Sequence, residues 1–192
     1  EMIENNIPGL YICGAYQFLG KYYKEADGSI IDGLGILDLY TENPGATVPR
    51  LIGNIAITVT GSLFMSNSIS TNYTLRRYGI ASAPVVQTTH SVVGFENHGG
   101  RTYLGEKVKP LGKVIKGFGN NGKDHTEGAV YKNSIGSYLH GPLLPKNPQL
   151  TDYLLSKSLE NKYKEQIKLL PLDDTLEKKA HSVIVRKLGG SV

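Results

Sequence analysis

The sequence holds a single cysteine, Cys13, among 192 residues. One thiol excludes an internal disulfide framework and fits a reducing compartment. No Cys-x-x-Cys pair and no His-x-x-x-His pair is present, so a zinc site is rejected and no metal is expected. No apolar run approaches the roughly 20 residues that span a bilayer. No signal-peptide pattern opens the sequence as given. The expectation is a soluble, cytoplasmic protein with no membrane insertion. Charge of one sign is lacking too. The formal net charge of +4 comes from scattered basic residues, which leaves no nucleic-acid footprint. No glycine-rich Walker loop occurs, so no nucleotide site is expected. Internal repeats and low-complexity segments are also missing.

What is present reads as one domain over residues 1–192, long enough to bury a core. Its focus is Gly9-Leu10-Tyr11-Ile12-Cys13-Gly14-Ala15-Tyr16-Gln17-Phe18-Leu19-Gly20. Leu10 to Ile12 resemble the end of a buried strand. Small residues follow at Gly14 and Ala15, and Phe18, Leu19 and Tyr22 then fall at helical spacing. Cys13 is thereby placed on a tight strand-to-helix turn, a geometry that exposes a nucleophile and aims backbone N–H groups beside it. A helix N-terminus behind it favours an anionic sulfur. A lone cysteine is as readily a small buried hydrophobe, and spacing leaves both readings open. The chain starts at Glu1 and reaches this turn by Cys13. Earlier strands of a doubly wound sheet normally come first, so the start reads as N-terminally truncated.

Downstream, Ile36 to Tyr40 makes a strand, and Glu42 to Val48 a loop. Arg50 to Thr60, rich in β-branched residues, makes a second strand with an irregularity at Gly53. Residues of about 61–90 are weakly patterned and read as an insertion. Val92 to Arg101, Leu111 to Ile115 and Ile135 to His140 restore the strand pattern. A loop rich in glycine and asparagine, Gly117 to Gly128, lies between the last two. Asn147 and Pro148 start a helix that buries Leu150, Tyr153 and Leu154, with Leu155 and Leu159 extending the stripe. A last helix begins near Asp174, paired with Glu177, and buries Leu176, Ala180, Val183 and Ile184. Strands alternating with few long helices give an α/β class.

A cysteine nucleophile needs a base within hydrogen-bond reach, usually remote in sequence. Of the five histidines, His140 ends a strand before Gly141 and Pro142, where α/β folds place ligands. It is the candidate base. His98, crowded by Asn97, Gly99 and Gly100, is a candidate for shaping the pocket. His90 and His125 sit in polar loops and His181 on the polar side of the last helix, all read as surface residues.

Three segments in this order resemble the signatures of the class I (triad) glutamine amidotransferases in their cobyric-acid-synthase-like (CobB/CobQ-type) branch. They are Cys13 to Gly20, Gly94-Phe95-Glu96-Asn97-His98-Gly99-Gly100-Arg101 and Gly136-Ser137-Tyr138-Leu139-His140-Gly141. Pro49 to Asn54 and Leu143 to Asn147 point to the glutaminase subunits of lipid II isoglutaminyl synthases within that branch. The resemblance implies a flavodoxin-like fold with a mixed or parallel central sheet flanked by helices. It implies that Cys13 attacks the side-chain amide of L-glutamine, forms a glutamyl thioester and releases ammonia, with His140 as acid and base. Gly14 N–H is implied as an oxyanion donor, a group worth about 3–4 kcal/mol. Gln17 is implied to line the glutamine pocket, and Arg50 to hold the substrate carboxylate or gate the pocket. Asn97 and His98 are possible pocket residues. A solvated strand-end arginine is the ordinary alternative for Arg50.

The implied partner is a Mur-ligase-like synthetase in a heterodimer. It uses ATP and Mg to amidate the D-glutamate of the lipid II stem peptide in peptidoglycan synthesis, leaving this subunit without a cofactor. Three features depart from the pattern. Pro142 stands where most members carry the glutamate that orients the histidine, so the third carboxylate is expected from the partner. Ala15 replaces a preferred glycine. The N-terminal strands that supply a second oxyanion donor are missing. The alternatives are the amidotransferase domain of a cobyrinate or cobyric acid synthase, and a catalytically silent amidotransferase-like scaffold.

Overall fold

The computed structural model describes residues 1–59 and 90–189. The insertion expected at about 61–90 lies outside the described residues, save the backbone of His90. The strands are β1 Gly9–Ile12, β2 Tyr22–Lys24, β3 Ile30–Asp32, β4 Leu39–Glu42, β5 Leu51–Val59, β6 His90–His98, β7 Arg101–Leu104, β8 Gly112–Lys116, β9 Thr126–Glu127, β10 Ala129–Tyr131 and β11 Ser134–Ser137. The helices are α1 Gly14–Phe18, α2 Pro148–Tyr163 and α3 Thr175–Lys187, with a 3-10 turn at Leu144–Lys146. The class is α/β, as expected, and the strands form three sheets, ordered β1-β11-β10, β3-β2-β4-β7 and β6-β5-β8-β9. The pairs β1/β11 and β2/β4 are parallel and the other pairings antiparallel.

The third sheet carries the core because β5 and β6 are apolar on both faces. Ile55, Ile57, Val59 and Val92 join Ile135, Leu139, Leu150 and Tyr153 in the main cluster. Ala56 and Val93 point the other way, onto Ile184 of α3. Burying each large side chain contributes roughly 1.5–3 kcal/mol. The irregularity expected at Gly53 lies instead between Ala56 and Ile57, against β8. Across Gly53 the ladder to β6 is regular.

The helix after Cys13 is shorter than its spacing suggests. It ends at Phe18 because the following carbonyls are taken by a returning loop. Leu34 N–H donates to Phe18 O, Leu37 N–H to Leu19 O and Gly35 N–H to Gly20 O, each at 2.8 Å. Gly33 permits this approach, since a Cβ there would overlap Gly20 O. Tyr22 therefore opens β2, where Tyr22, Tyr40 and Tyr103 stack at centroid spacings of 5.2 Å.

Asn147 precedes α2, as expected, yet its side chain makes no cap. Its Oδ1 accepts Val93 N–H at 2.9 Å, while Nδ2 donates to Val93 O at 2.8 Å and Leu143 O at 2.7 Å. Leu150 and Tyr153 are buried as the stripe predicts, but Leu155 is exposed. In α3 the expected stripe fails in its first half. Leu176 is 75% exposed and only Ile184 is buried. No capping pair forms, and Asp173 Oδ1 instead accepts Thr175 N–H at 3.0 Å. The C-terminal half of α3 is the docked part. His181, expected on the polar side, bonds Ser91 Oγ through Nε2 and Lys146 O through Nδ1, each at 2.9 Å.

Candidate active site

Cys13 follows the last residue of β1 and adopts φ 55°, ψ −111°. For a non-glycine residue that region is strained by about 1–3 kcal/mol and persists only where the surroundings impose it. Here Cys13 N–H donates to Ser137 O of the parallel strand β11 at 2.9 Å, and Cys13 O accepts Gln17 N–H at 3.0 Å. Beneath the turn, Tyr16 lies against Gly136, where a Cβ would overlap its ring. Tyr16 also meets Tyr138 edge-on at 5.3 Å and donates to Asn120 Oδ1 at 3.1 Å. Above the turn, a Cβ added to Gly14 would meet nothing within 4 Å. The half-buried thiol thus stands on a fixed base beside open space.

β11 ends at Ser137, opposite Ile12, and His140 follows three residues later. Nucleophile and candidate base therefore leave the same end of two adjacent parallel strands. His140 N–H donates to Phe95 O at 2.8 Å, and its Nδ1 stands 3.2 Å from that carbonyl. A carbonyl only accepts, so Nδ1 carries a proton, and in the neutral ring the lone pair is then on Nε2. The structure thereby sets the tautomer a base requires.

Gln17 donates through Nε2 to the Tyr138 hydroxyl at 2.9 Å. That hydroxyl lies 2.6 Å from Thr102 Oγ1, which pairs with Thr41 Oγ1 at 2.7 Å. Gly100 lets these elements meet, because a Cβ there would press on Thr41, Gln17 Nε2 and the Tyr23 ring. Arg50 is exposed and held by Asn97, with Nε donating to Oδ1 at 3.0 Å and Nη2 to the backbone carbonyl at 3.1 Å. The Gly99–Arg101 segment is tied to the same loop. Arg101 donates to Gly99 O at 2.6 Å and Pro49 O at 2.7 Å, and burial lowers its guanidinium pKa.

His98 is buried and shapes the wall rather than reaching the cleft. Its ring stacks on Tyr138 at 3.6 Å with 5° between planes, and its Nδ1 donates to Gly100 O at 2.7 Å. Its Nε2 faces Glu96 Oε2 at 3.8 Å, too far for a hydrogen bond. Glu96 itself accepts Phe118 N–H at 2.8 Å and Gly119 N–H at 2.9 Å, holding that loop under β6.

Beside Gly14 opens a cleft of about 330 Å³ lined by Gln17, Phe18, Tyr23, Glu25, Ile31 and Gly33, within the range of small-molecule sites. Tyr23 connects it to the remaining groups. Burial raises the Tyr23 pKa, Glu25 adds to the rise, Arg50 opposes it and Cys13 reinforces it. Neither Tyr23 nor Glu25 carries a sequence signal, since β2 brings them in only after the short α1 turns back. Glu127, in the stretch read as a loop, is also missed. It is fully buried, and burial raises its carboxyl pKa to about 7. Among the described residues no group of three His, Cys, Asp or Glu side chains forms a metal site, and no helix is long and apolar enough to cross a membrane.

Comparison with known proteins matches residues 1–148 to the CobB/CobQ-like glutamine amidotransferase domain. The chain is 47% identical over 162 residues to the lipid II isoglutaminyl synthase (glutamine-hydrolyzing) subunit GatD of Staphylococcus aureus, covering 84% of this chain and 54% of that protein. Identity to the subunit of the same name from Streptococcus pneumoniae is 39% over 174 residues, covering 91% of this chain and 56% of the relative. A probable cobyric acid synthase of Methanothermobacter thermautotrophicus is 35% identical over 144 residues, which is 72% of this chain and 24% of that protein. The chain thus spans about half the length of the two GatD relatives.

Proposed function

The chain belongs to the CobB/CobQ-like glutamine amidotransferase family, and from that premise we propose that it is the glutaminase part of a lipid II isoglutaminyl synthase. Higher identity and wider coverage favour this over the cobyric acid synthases. In this reading Cys13 is the nucleophile. His140 Nε2 takes the thiol proton as sulfur bonds to the δ-carbon of glutamine. The resulting oxyanion is met by the Gly14 N–H. As the C–N bond breaks, His140 returns the proton to the leaving nitrogen and ammonia departs. Water, deprotonated by His140, then hydrolyses the thioester to glutamate. Gln17 and Tyr23 line the glutamine cleft, Arg50 on its Asn97 bracket faces the substrate carboxylate, and His98 keeps Tyr138 in place beneath Gln17.

Ammonia would pass to a Mur-ligase-like synthetase in a cytoplasmic heterodimer, where ATP and Mg activate the stem-peptide carboxylate. Pro142 occupies the position of the usual orienting carboxylate. The Phe95 carbonyl holds the tautomer without supplying negative charge, so a carboxylate of the partner would complete the site and isolated turnover would be weak. The observation that carries the reading is the placement of Cys13 and His140 at one end of β1 and β11. A diazo-ketone analogue of glutamine tests it. Mass spectrometry should find one adduct on Cys13, suppressed by excess glutamine. Labelling that ignores glutamine would contradict the proposal.

A further inference from the structure

Ser137 is bonded toward both ends of the candidate machinery. Its carbonyl accepts Cys13 N–H at 2.9 Å. Its hydroxyl oxygen accepts Leu139 N–H at 3.0 Å, one residue before His140. The hydroxyl proton goes to Glu127 Oε1 at 2.7 Å, and the same oxygen accepts Tyr138 N–H at 2.8 Å. Ser137 and Glu127 are both fully buried. Glu127 Oε2 has no hydrogen-bond partner among the described residues, so the bonds to Ser137 and Tyr138 are made by Oε1. Beyond Ser137 the β1/β11 ladder has ended, and the backbone N–H groups of Tyr138 and Leu139 go to Glu127 Oε1 and Ser137 Oγ before His140 bridges to Phe95 of β6.

We propose that Ser137 and Glu127 form a positioning clasp that sets the distance between Cys13 and His140. The inference rests on the glutaminase reading and deepens it. Neither side chain touches substrate; both act by fixing backbone. Ser137 anchors the nucleophile turn through its carbonyl and the base through its hydroxyl. Glu127 fixes the rotamer in which one residue can do both. Loosening the clasp would let His140 shift relative to the thiol with the glutamine cleft left intact. Misplacement by about 1 Å costs on the order of 100-fold in rate.

The test uses the full-length protein with its synthetase partner and compares Ser137→Ala, Glu127→Ala and Glu127→Gln with wild type. Each is measured for glutamine turnover and for Cys13 alkylation by iodoacetamide. Ser137→Ala and Glu127→Ala should lose about 10- to 100-fold in kcat with KM little changed, and both should alkylate more slowly. Glu127→Gln should restore both readouts, because its amide oxygen accepts the same two bonds. A structural role alone would lower the melting temperature and leave the alkylation rate of the folded protein at wild type. If Glu127→Ala fails to fold, Ser137→Ala, which removes one hydroxyl, decides. Wild-type kcat and alkylation in Ser137→Ala would overturn the clasp. A wild-type complex that releases no ammonia would instead refute the glutaminase reading, with alkylation still judging the clasp.

Discussion

His140 places its Nδ1 3.2 Å from the carbonyl oxygen of Phe95, which also accepts the His140 amide proton at 2.8 Å. Among the described residues the imidazole is thereby oriented by main chain from β6 and by no side-chain carboxylate, and the bond at Nδ1 leaves Nε2 as the ring nitrogen that can act as a base.

Replacing His140 by asparagine separates these two roles. The asparagine Nδ2 can donate to Phe95 O in place of Nδ1, so the unfolding midpoint should stay near wild type. Turnover should fall by about 10²–10⁴-fold, the usual contribution of a general base. Thermal melts beside an ammonia assay check both halves.

Strain at Cys13 predicts that a residue able to relax there raises stability. At φ 55° and ψ −111° a glycine relaxes where an alanine does not. Both Cys13→Gly and Cys13→Ala should be inactive, with the glycine variant more stable by about 1 kcal/mol or more. Urea unfolding of the two proteins gives the comparison.

Glu127 makes stability fall as pH rises. Burial raises its pKa from 4.5 to about 7 in the folded chain. Between those values the folded state holds a proton that the unfolded chain has released. The contribution is therefore fully present below the unfolded value and is lost as pH climbs through the folded one. A shift of that size corresponds to about 3 kcal/mol. Denaturant unfolding from pH 4 to 8 should show this slope in wild type, and Glu127→Gln should flatten it by that amount.

Asn147 ties the start of α2 to β6 by three hydrogen bonds to Val93 and Leu143. Asn147→Asp keeps the acceptor for Val93 N–H but turns the donor toward Val93 O and Leu143 O into a second acceptor. Breaking buried bonds of this kind costs about 1–3 kcal/mol for each group left unpaired. The melting temperature should drop sharply, and more than for an exposed control such as Ser158→Ala.

What could be read from the sequence was what is local. Cys13 on its turn, Arg50 at the start of a strand and His140 past a strand end all follow from short-range pattern, and β1, β5 and β11 run where that pattern puts them. The α2 stripe was legible through Leu150 and Tyr153. The α3 stripe was not, because Leu176 and Ala180 are apolar on a half-helix left exposed among the described residues. Asn147 looked like a cap because capping and cross-linking use the same side chain, and only the tertiary position of Val93 decides between them. Tyr23, Glu25 and Glu127 left no trace. Their roles arise when β2 turns back beside α1 and when the Glu127 carboxyl meets Ser137 and Tyr138, contacts about ten residues apart that no helical or strand period records.

Ammonia release is the direct measure of the central claim. The full-length protein would be assayed for it from glutamine, alone and with its synthetase partner, beside Cys13→Ala. Release should be weak from the protein alone, rise markedly with the partner and be absent from Cys13→Ala under either condition. A folded complex that releases no ammonia, or a Cys13→Ala variant that releases as much as wild type, would contradict it.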